Sequence, residues 1–262
     1  MTLPMPDRKP ADLPGHWLFA RLGKRVLRPG GLGLTHRMLT DAKLPGADVV
    51  ELAPGMGRTA KEILACTPGT YTGVEADENA AGVVRSVVGD NGKVVTGEAS
   101  QTGLDGGTAD VVVGEAMLTM QTNPHKSEIA REAFRVLRPG GRYAIHELAL
   151  QPDDVAESVK DEVRSALARS IKVNARPLTA AEWTELLTEA GFTVEKISFA
   201  PMALLEPHRL IADEGVLGAL RFVFNVVRDS DARARVLNMR ATFRRHRKNM
   251  AAIEVIAAKP AA

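Results

Sequence analysis

The fold is decided by the stretch Val49-Val50-Glu51-Leu52-Ala53-Pro54-Gly55-Met56-Gly57-Arg58-Thr59-Ala60. Its apolar start predicts a buried strand, residues 53–57 predict a tight turn, and residues 58–64 predict a helix. Small residues at 53, 55 and 57 would let a ligand lie against the backbone, because no large side chain fills that space. The N–H groups at the start of the helix would face the same ligand. We therefore expect a binding site at the end of this strand.

Composition and charge are those of a soluble globular protein. The chain has 262 residues, of which 45% are hydrophobic and 25% charged, and we expect one domain over 1–262. The net charge of +2 indicates no general affinity for polyanions. The single cysteine, Cys66, excludes an internal disulfide. Residues 1–15 contain no apolar run, and no stretch is long enough to span a bilayer, so we expect no leader, no membrane span and a cytoplasmic protein.

Short apolar strands alternate with helical patterns along most of the chain. Strands are predicted at 71–75, 93–96, 109–113 and 142–146, with helices between them, and two more strands at 192–198 and 251–257. This alternation predicts an α/β fold in which a mostly parallel sheet is covered by helices on both faces.

The turn resembles motif I of the class I S-adenosylmethionine (SAM)-dependent methyltransferases, which is acidic-x-Gly-x-Gly-x-Gly. Glu51, Gly55 and Gly57 match this pattern, whereas Ala53 replaces its first glycine. One methyl group is tolerable there if Ala53 keeps a negative φ, and we expect that it does. A dinucleotide-binding loop, Gly-x-Gly-x-x-Gly, is the alternative, but it would place its third glycine at Arg58.

Four further features occur at the spacing of the same family. Glu75 ends the second strand, 24 positions after Glu51, where the resemblance implies a carboxylate that binds the ribose hydroxyls. Glu98 and Ala99 follow the third strand, where the family contacts adenine. Glu115 follows the fourth strand. The Arg135–Gly141 segment resembles the helix end that precedes the fifth strand in this family.

The resemblance therefore implies SAM as the cofactor and S-adenosylhomocysteine as its product. Glu51 would lie beneath the methionine ammonium of SAM. The full set of expected cofactor-binding residues is Glu51, Ala53, Pro54, Gly55, Gly57, Glu75, Ala76, Glu98, Ala99, Glu115 and Ala116.

The resemblance also implies a seven-stranded, Rossmann-like sheet of order 3-2-1-4-5-7-6 with an added helical cap. The cofactor-binding core would span about 35–150, with 179–200 and 251–262 completing the sheet. The cap would come from 16–31, 151–178 and 201–250. Because methyltransferases of this fold join their last two strands briefly, the 201–250 insertion predicts a role in substrate selection or in homodimerisation.

A sulfonium methyl group is already activated, so a general base is needed only for a nucleophile that keeps its proton. His146 ends the fifth strand and His125 follows the fourth, and both are candidate catalytic residues. A structural hydrogen-bonding role explains either histidine equally well. No cluster of acids after the fourth strand resembles a metal site, so we expect no metal.

The motifs that the chain lacks narrow its substrate. Neither Asn/Asp-Pro-Pro-Tyr after the fourth strand nor a Pro-Cys pair is present, which disfavours methylation of nucleobases. We expect a small, partly hydrophobic substrate. The alternatives are an RNA or protein substrate bound by the basic 233–248 helix, or a SAM-binding protein without catalysis. Nucleic acid is the less favoured partner, because no aromatic residues alternate with these arginines.

Overall fold

The computed structural model describes residue 9 and residues 12–24, 26–202 and 204–261. The proline-rich start, for which the sequence predicts no leader, lies mostly outside these residues. The strands are β1 Asp48–Leu52, β2 Thr70–Glu75, β3 Lys93–Thr96, β4 Ala109–Glu115, β5 Leu137–Leu150, β6 Leu178–Thr179, β7 Thr193–Pro201 and β8 Met250–Ala258.

The strands form one sheet of order β3-β2-β1-β4-β5-β8-β7. Neighbouring strands from β3 to β5 are parallel, whereas β8 runs antiparallel to β5 and to β7. The sixth and seventh predicted strands correspond to β7 and β8, because β6 was not predicted. With that renumbering, the predicted order 3-2-1-4-5-7-6 is confirmed. The two-residue β6, which pairs with the end of β5, is an addition that the sequence did not predict.

Helices cover both faces of the sheet, as predicted. They are α1 Gly15–Leu22, α2 Gly31–Asp41, α3 Arg58–Ala65, α4 Glu78–Val88, α5 Asn123–Val136, α6 Glu157–Ile171, α7 Ala180–Glu189, α8 Pro207–Arg228 and α9 Ser230–Arg245. One core contains Ile129 of α5 and Trp183 of α7, and the opposite core contains Met38 of α2 and Ala60 of α3. Because both faces are buried, the central strands are apolar along their length.

A third apolar cluster holds α1, α6, α8 and α9 together above the carboxyl end of the sheet. Phe19, Val163, Phe222 and Met239 each contribute a buried side chain from one of these helices. The spacing of apolar residues in the sequence predicts an amphipathic helix over 16–27, but α1 ends earlier, at Leu22, because the next residue is a glycine with φ +102°. The chain then turns toward the sheet, which brings residues after α1 close to the glycine turn.

One face of α8 is apolar and exposed. Val216, Leu220, Val223 and Val227 lie at helical spacing, and between 49% and 62% of each is accessible to solvent. Core packing therefore does not explain this row, although it does explain the buried side chain of Phe243 on α9. Among the described residues, no helix combines the length and the apolar composition that crossing a bilayer requires.

Candidate functional site

A cavity lies at the carboxyl end of the sheet, beneath α1. It is bounded by the ends of β1, β2 and β4, by the glycine turn and by the start of α3. Of the predicted cofactor residues, the structure brings to its wall Glu51, Ala53, Pro54, Gly55, Glu75, Glu115 and Ala116. In an open α/β sheet, this edge is where ligands bind.

Every second residue of the glycine turn, from Ala53 to Gly57, has a left-handed backbone conformation. Ala53, Gly55 and Gly57 have φ of +52°, +57° and +70°. The expectation that Ala53 keeps a negative φ was therefore wrong: the turn imposes the left-handed conformation that the family glycine adopts without strain. Alanine accepts it at a cost of roughly 1–2 kcal/mol. The N–H of Ala53 donates to the carbonyl of Val74 at 2.8 Å, which ties the turn to β2.

The turn leaves its backbone open toward the cavity. A Cβ built at Gly55 would meet only the carbonyl oxygen of Ala53, at 3.9 Å, so the space beside this glycine belongs to the cavity. At Gly57 a Cβ would instead approach Val87 at 3.1 Å. Gly57 also precedes α3 and has no side chain to cap it, so a ligand can meet the first N–H groups of that helix.

Glu75 holds the turn in place and still has capacity to accept hydrogen bonds. Its Oε2 accepts the N–H of Gly55 at 2.9 Å, and its Oε1 accepts the N–H of Asp77 at 3.1 Å. Burial raises the pKa of Glu75, while the backbone N–H groups of Asp77, Gly55 and Ala76 oppose the rise. A carboxylate accepts about four hydrogen bonds, so at least one acceptor position is left for a ligand hydroxyl.

Glu51 is buried at the end of β1, on the cavity wall. The hydroxyl of Tyr71 donates to its Oε2 at 2.6 Å. Burial raises the pKa of Glu51 to about 8, although Tyr71 works against the rise. A cationic group in this cavity would favour the ionised form of this carboxyl.

Glu115 ends β4 and is held by the elements around it. The hydroxyls of Thr35 and Thr59 donate to its two oxygens, and Arg28 lies 3.6 Å away. Burial by itself would raise the pKa of Glu115, but Arg28 and His146 hold it below its ordinary range. The carboxylate is therefore engaged by the protein, while the backbone of this residue lines the cavity.

The two predicted catalytic histidines lie away from the cavity lining. His146 is fully buried; its Nε2 accepts the N–H of Gly30 at 2.9 Å, and its Nδ1 is 2.7 Å from Glu115. With Nε2 accepting, Nδ1 is left to donate to Glu115, so both nitrogens of this ring are engaged. His125 starts α5, where its Nδ1 pairs with Glu128 at 2.8 Å.

Three of the predicted cofactor-binding residues, among them the two expected around adenine, lie outside the cavity lining. Ala76 and Glu98 are exposed, and Ala99 is partly buried against the main core. Gly57 is likewise outside the lining and acts through the geometry of the turn. The cavity therefore joins the predicted ribose and methionine positions, while the adenine position lies on the surface beside it.

Sequence reasoning missed several wall residues that come from the cap. Trp17 and Lys24 line the cavity, and Lys24 is buried, with its Nζ 3.0 Å from Oδ2 of Asp213. Arg58 also lines it and donates to the carbonyl of Asp213 at 2.9 Å. In a helix that continued to residue 27, Lys24 would lie on the polar face, and only the early end of α1 turns it inward. Within the described residues, no three His, Cys, Asp or Glu side chains are grouped closely enough to hold a metal ion.

Comparison with known proteins agrees with this geometry. Residues 49–141 match the family model described as a methyltransferase domain. An uncharacterised protein of Haemophilus influenzae is 32% identical over 223 residues, covering 83% of this chain and 87% of the relative.

Solved structures share the fold. The MccD protein superposes with a TM-score of 0.70 at 18% identity, covering 88% of this chain and 98% of that one. A phosphoethanolamine N-methyltransferase of Haemonchus contortus, solved with phosphomonomethylethanolamine and S-adenosylhomocysteine, has a TM-score of 0.67 at 16% identity, covering 90% of this chain and 55% of that one. The chain belongs to the class I, Rossmann-like methyltransferases.

Proposed function

We propose that this chain is a SAM-dependent methyltransferase acting on a small, partly hydrophobic molecule. The observation that carries the proposal is the pairing of an open, left-handed turn with Glu75, which lines the same cavity and keeps acceptor capacity beyond its backbone donors. These features fit SAM: Glu75 would hold the ribose, Glu51 the ammonium, and the backbone of Glu115 and Ala116 the methionine chain. When bound, SAM supplies a methyl group on a sulfonium centre.

In this proposal the protein acts mainly by binding and orienting SAM and the substrate, and not by transferring protons. His146 holds Glu115 in place, and through it the end of β4, so we assign it a positioning role. His125 keeps its pairing with Glu128 at the start of α5. Ala76, Glu98 and Ala99 would receive adenine at the surface, where a planar group can remain partly exposed.

A macromolecular substrate is the alternative, and the contacts of the basic 233–248 segment weigh against it. Arg240 and Arg244 both pair with Glu206, at 3.3 and 2.9 Å, and Arg235 donates to the carbonyl of Leu13 at 2.7 Å. These three side chains support the cap and are not left for phosphates. A SAM-binding protein without catalysis is the second alternative, and turnover distinguishes it.

The test is incubation of the protein with methyl-labelled SAM and cell extract, followed by separation into small-molecule, RNA and protein fractions. We expect label in the small-molecule fraction, and less of it with Glu75→Ala at a SAM concentration below the wild-type Kd. Label in RNA alone would replace the proposed substrate class. Calorimetric binding of S-adenosylhomocysteine without label in any fraction would favour the non-catalytic alternative.

A further inference from the structure

A second cavity adjoins the first and is lined almost entirely by apolar side chains. Phe19 of α1, Phe243 of α9 and Leu204 lie on its wall, together with Ile171 and Val173 at the end of α6. These residues belong to the cap, so the cavity lies between the cap and the carboxyl end of the sheet. A site of this kind holds small ligands mainly by burying apolar surface.

The two cavities meet at residues that line both. His16, Ala116 and Met120 each contribute to the wall of the first cavity and to that of the second. A molecule in the apolar cavity would therefore approach the methionine side of the first cavity, which Ala116 also borders.

His16 is the polar side chain at this junction. Its Nδ1 is buried and has no hydrogen-bond partner among the described residues. Burial lowers the pKa of His16 to about 4, so the ring is neutral at physiological pH. A buried polar atom without a partner is costly, and a ligand that supplies the missing hydrogen bond recovers that cost.

The other polar side chains on the wall are already satisfied. Oε1 of Glu147 accepts the N–H groups of Met117 and Leu118, at 2.8 and 2.6 Å. Its Oε2 accepts the N–H and the hydroxyl of Thr119, at 3.1 and 2.7 Å. Four donors use the four acceptor positions of this carboxylate, so it has none left for an ammonium group. A charged ligand would thus lose its hydration here and gain at most the neutral ring of His16 as a partner.

We propose that this apolar cavity receives the methyl acceptor, and that the acceptor is an uncharged, largely apolar small molecule whose hydrogen-bonding group contacts His16. This inference rests on the proposed methyltransferase function. It assigns His16 as the residue that positions the acceptor at the junction, and it excludes charged acceptors such as phosphate esters and carboxylates.

The test uses three probes that differ in one group: 4-methylphenol, toluene and 4-methylbenzoate. Each is titrated into the full chain saturated with S-adenosylhomocysteine, at neutral pH, by ligand-observed NMR. We expect 4-methylphenol to bind more tightly than toluene, and 4-methylbenzoate to bind at least about tenfold more weakly than 4-methylphenol. A carboxylate that binds as well as the phenol, or a wild-type protein that binds none of the probes, would overturn the proposal.

Two variants separate the cavity from its polar anchor. His16→Phe keeps a ring of similar size, so we expect 4-methylphenol to bind roughly 3- to 10-fold more weakly, with toluene unchanged. Val173→Phe fills the cavity from a partly exposed position on its wall and is expected to weaken all the probes. Unchanged phenol binding in folded samples of either variant would contradict the assignment.

Binding of S-adenosylhomocysteine itself, measured by calorimetry, keeps the two proposals apart. Val173 does not line the first cavity, so Val173→Phe should bind this product as wild type does. If the wild type does not bind S-adenosylhomocysteine, the methyltransferase proposal fails. If it binds the product and the probes behave otherwise than expected, only the acceptor site fails.

Discussion

Replacement of Glu75 tests the proposed ribose site most directly. Both carboxylate oxygens accept a backbone N–H, and the group keeps further acceptor capacity, so Glu75→Ala removes the hydrogen bonding that the ribose hydroxyls would make with a charged group. Loss of such bonds costs about 1–3 kcal/mol, which weakens binding of S-adenosylhomocysteine roughly 5- to 150-fold. Glu75→Gln keeps the shape and should fall between alanine and wild type, because its NH₂ group must face one of the two backbone donors.

Calorimetric titration with S-adenosylhomocysteine measures the effect, and circular dichroism confirms that each variant is folded. Glu78→Gln is the matched control: it makes the same change of charge three residues away, on an exposed side chain paired with Arg85. We expect wild-type affinity for this control. Wild-type affinity in folded Glu75→Ala, or an equal loss in Glu78→Gln, would refute the placement of the ribose.

Four further predictions concern stability and assembly. The pKa of Glu51 is raised from 4.5 to about 8, so the folded protein loses stability as pH rises between these values; Glu51→Gln should melt at a higher temperature than wild type at pH 9 and not at pH 4. Ala53→Gly removes the left-handed strain but gives the unfolded chain more conformational freedom. It should therefore raise the free energy of unfolding in urea by about 1 kcal/mol or less, whereas Ala53→Val should lower it. His146→Ala should cost about 2–4 kcal/mol in the same assay, since it opens a cavity and leaves buried partners without hydrogen bonds; a loss below 1 kcal/mol would argue against the positioning role. Seven large apolar residues of α8 are each at least 48% exposed, and an apolar surface of this kind is typical of a protein interface, so we expect a homodimer through α8 by light scattering and a monomer for Leu217→Glu; a monomeric wild type would contradict this.

The sequence was sufficient to predict the sheet and the position of the glycine turn. Alternating apolar strands and helices are local patterns, and burial on both faces leaves few other arrangements for them. The carboxylates at the ends of β1, β2 and β4 could be predicted to converge, because the carboxyl ends of neighbouring parallel strands share one edge. Glu51, Glu75 and Glu115 do lie together at that edge.

Only the tertiary structure decided what surrounds these carboxylates. The spacing of α1 placed Lys24 on a polar face, but Gly23 ends the helix and the lysine pairs with Asp213, 189 residues later. In the same way, His146 is engaged by Gly30 across 116 residues. Partners this far apart in the chain leave no periodic signal, so neither pairing could be inferred beforehand.

The local sequence thus determined the fold, the turn and the acids that border it, because each depends on the properties of a few adjacent residues. The conformation of Ala53, the outward face of α8 and the neutral, unpaired His16 at the junction of two cavities were decided by packing. The conformation of Ala53 goes with the hydrogen bond between the turn and β2, whereas the other two depend on where the helices of the cap lie against the sheet.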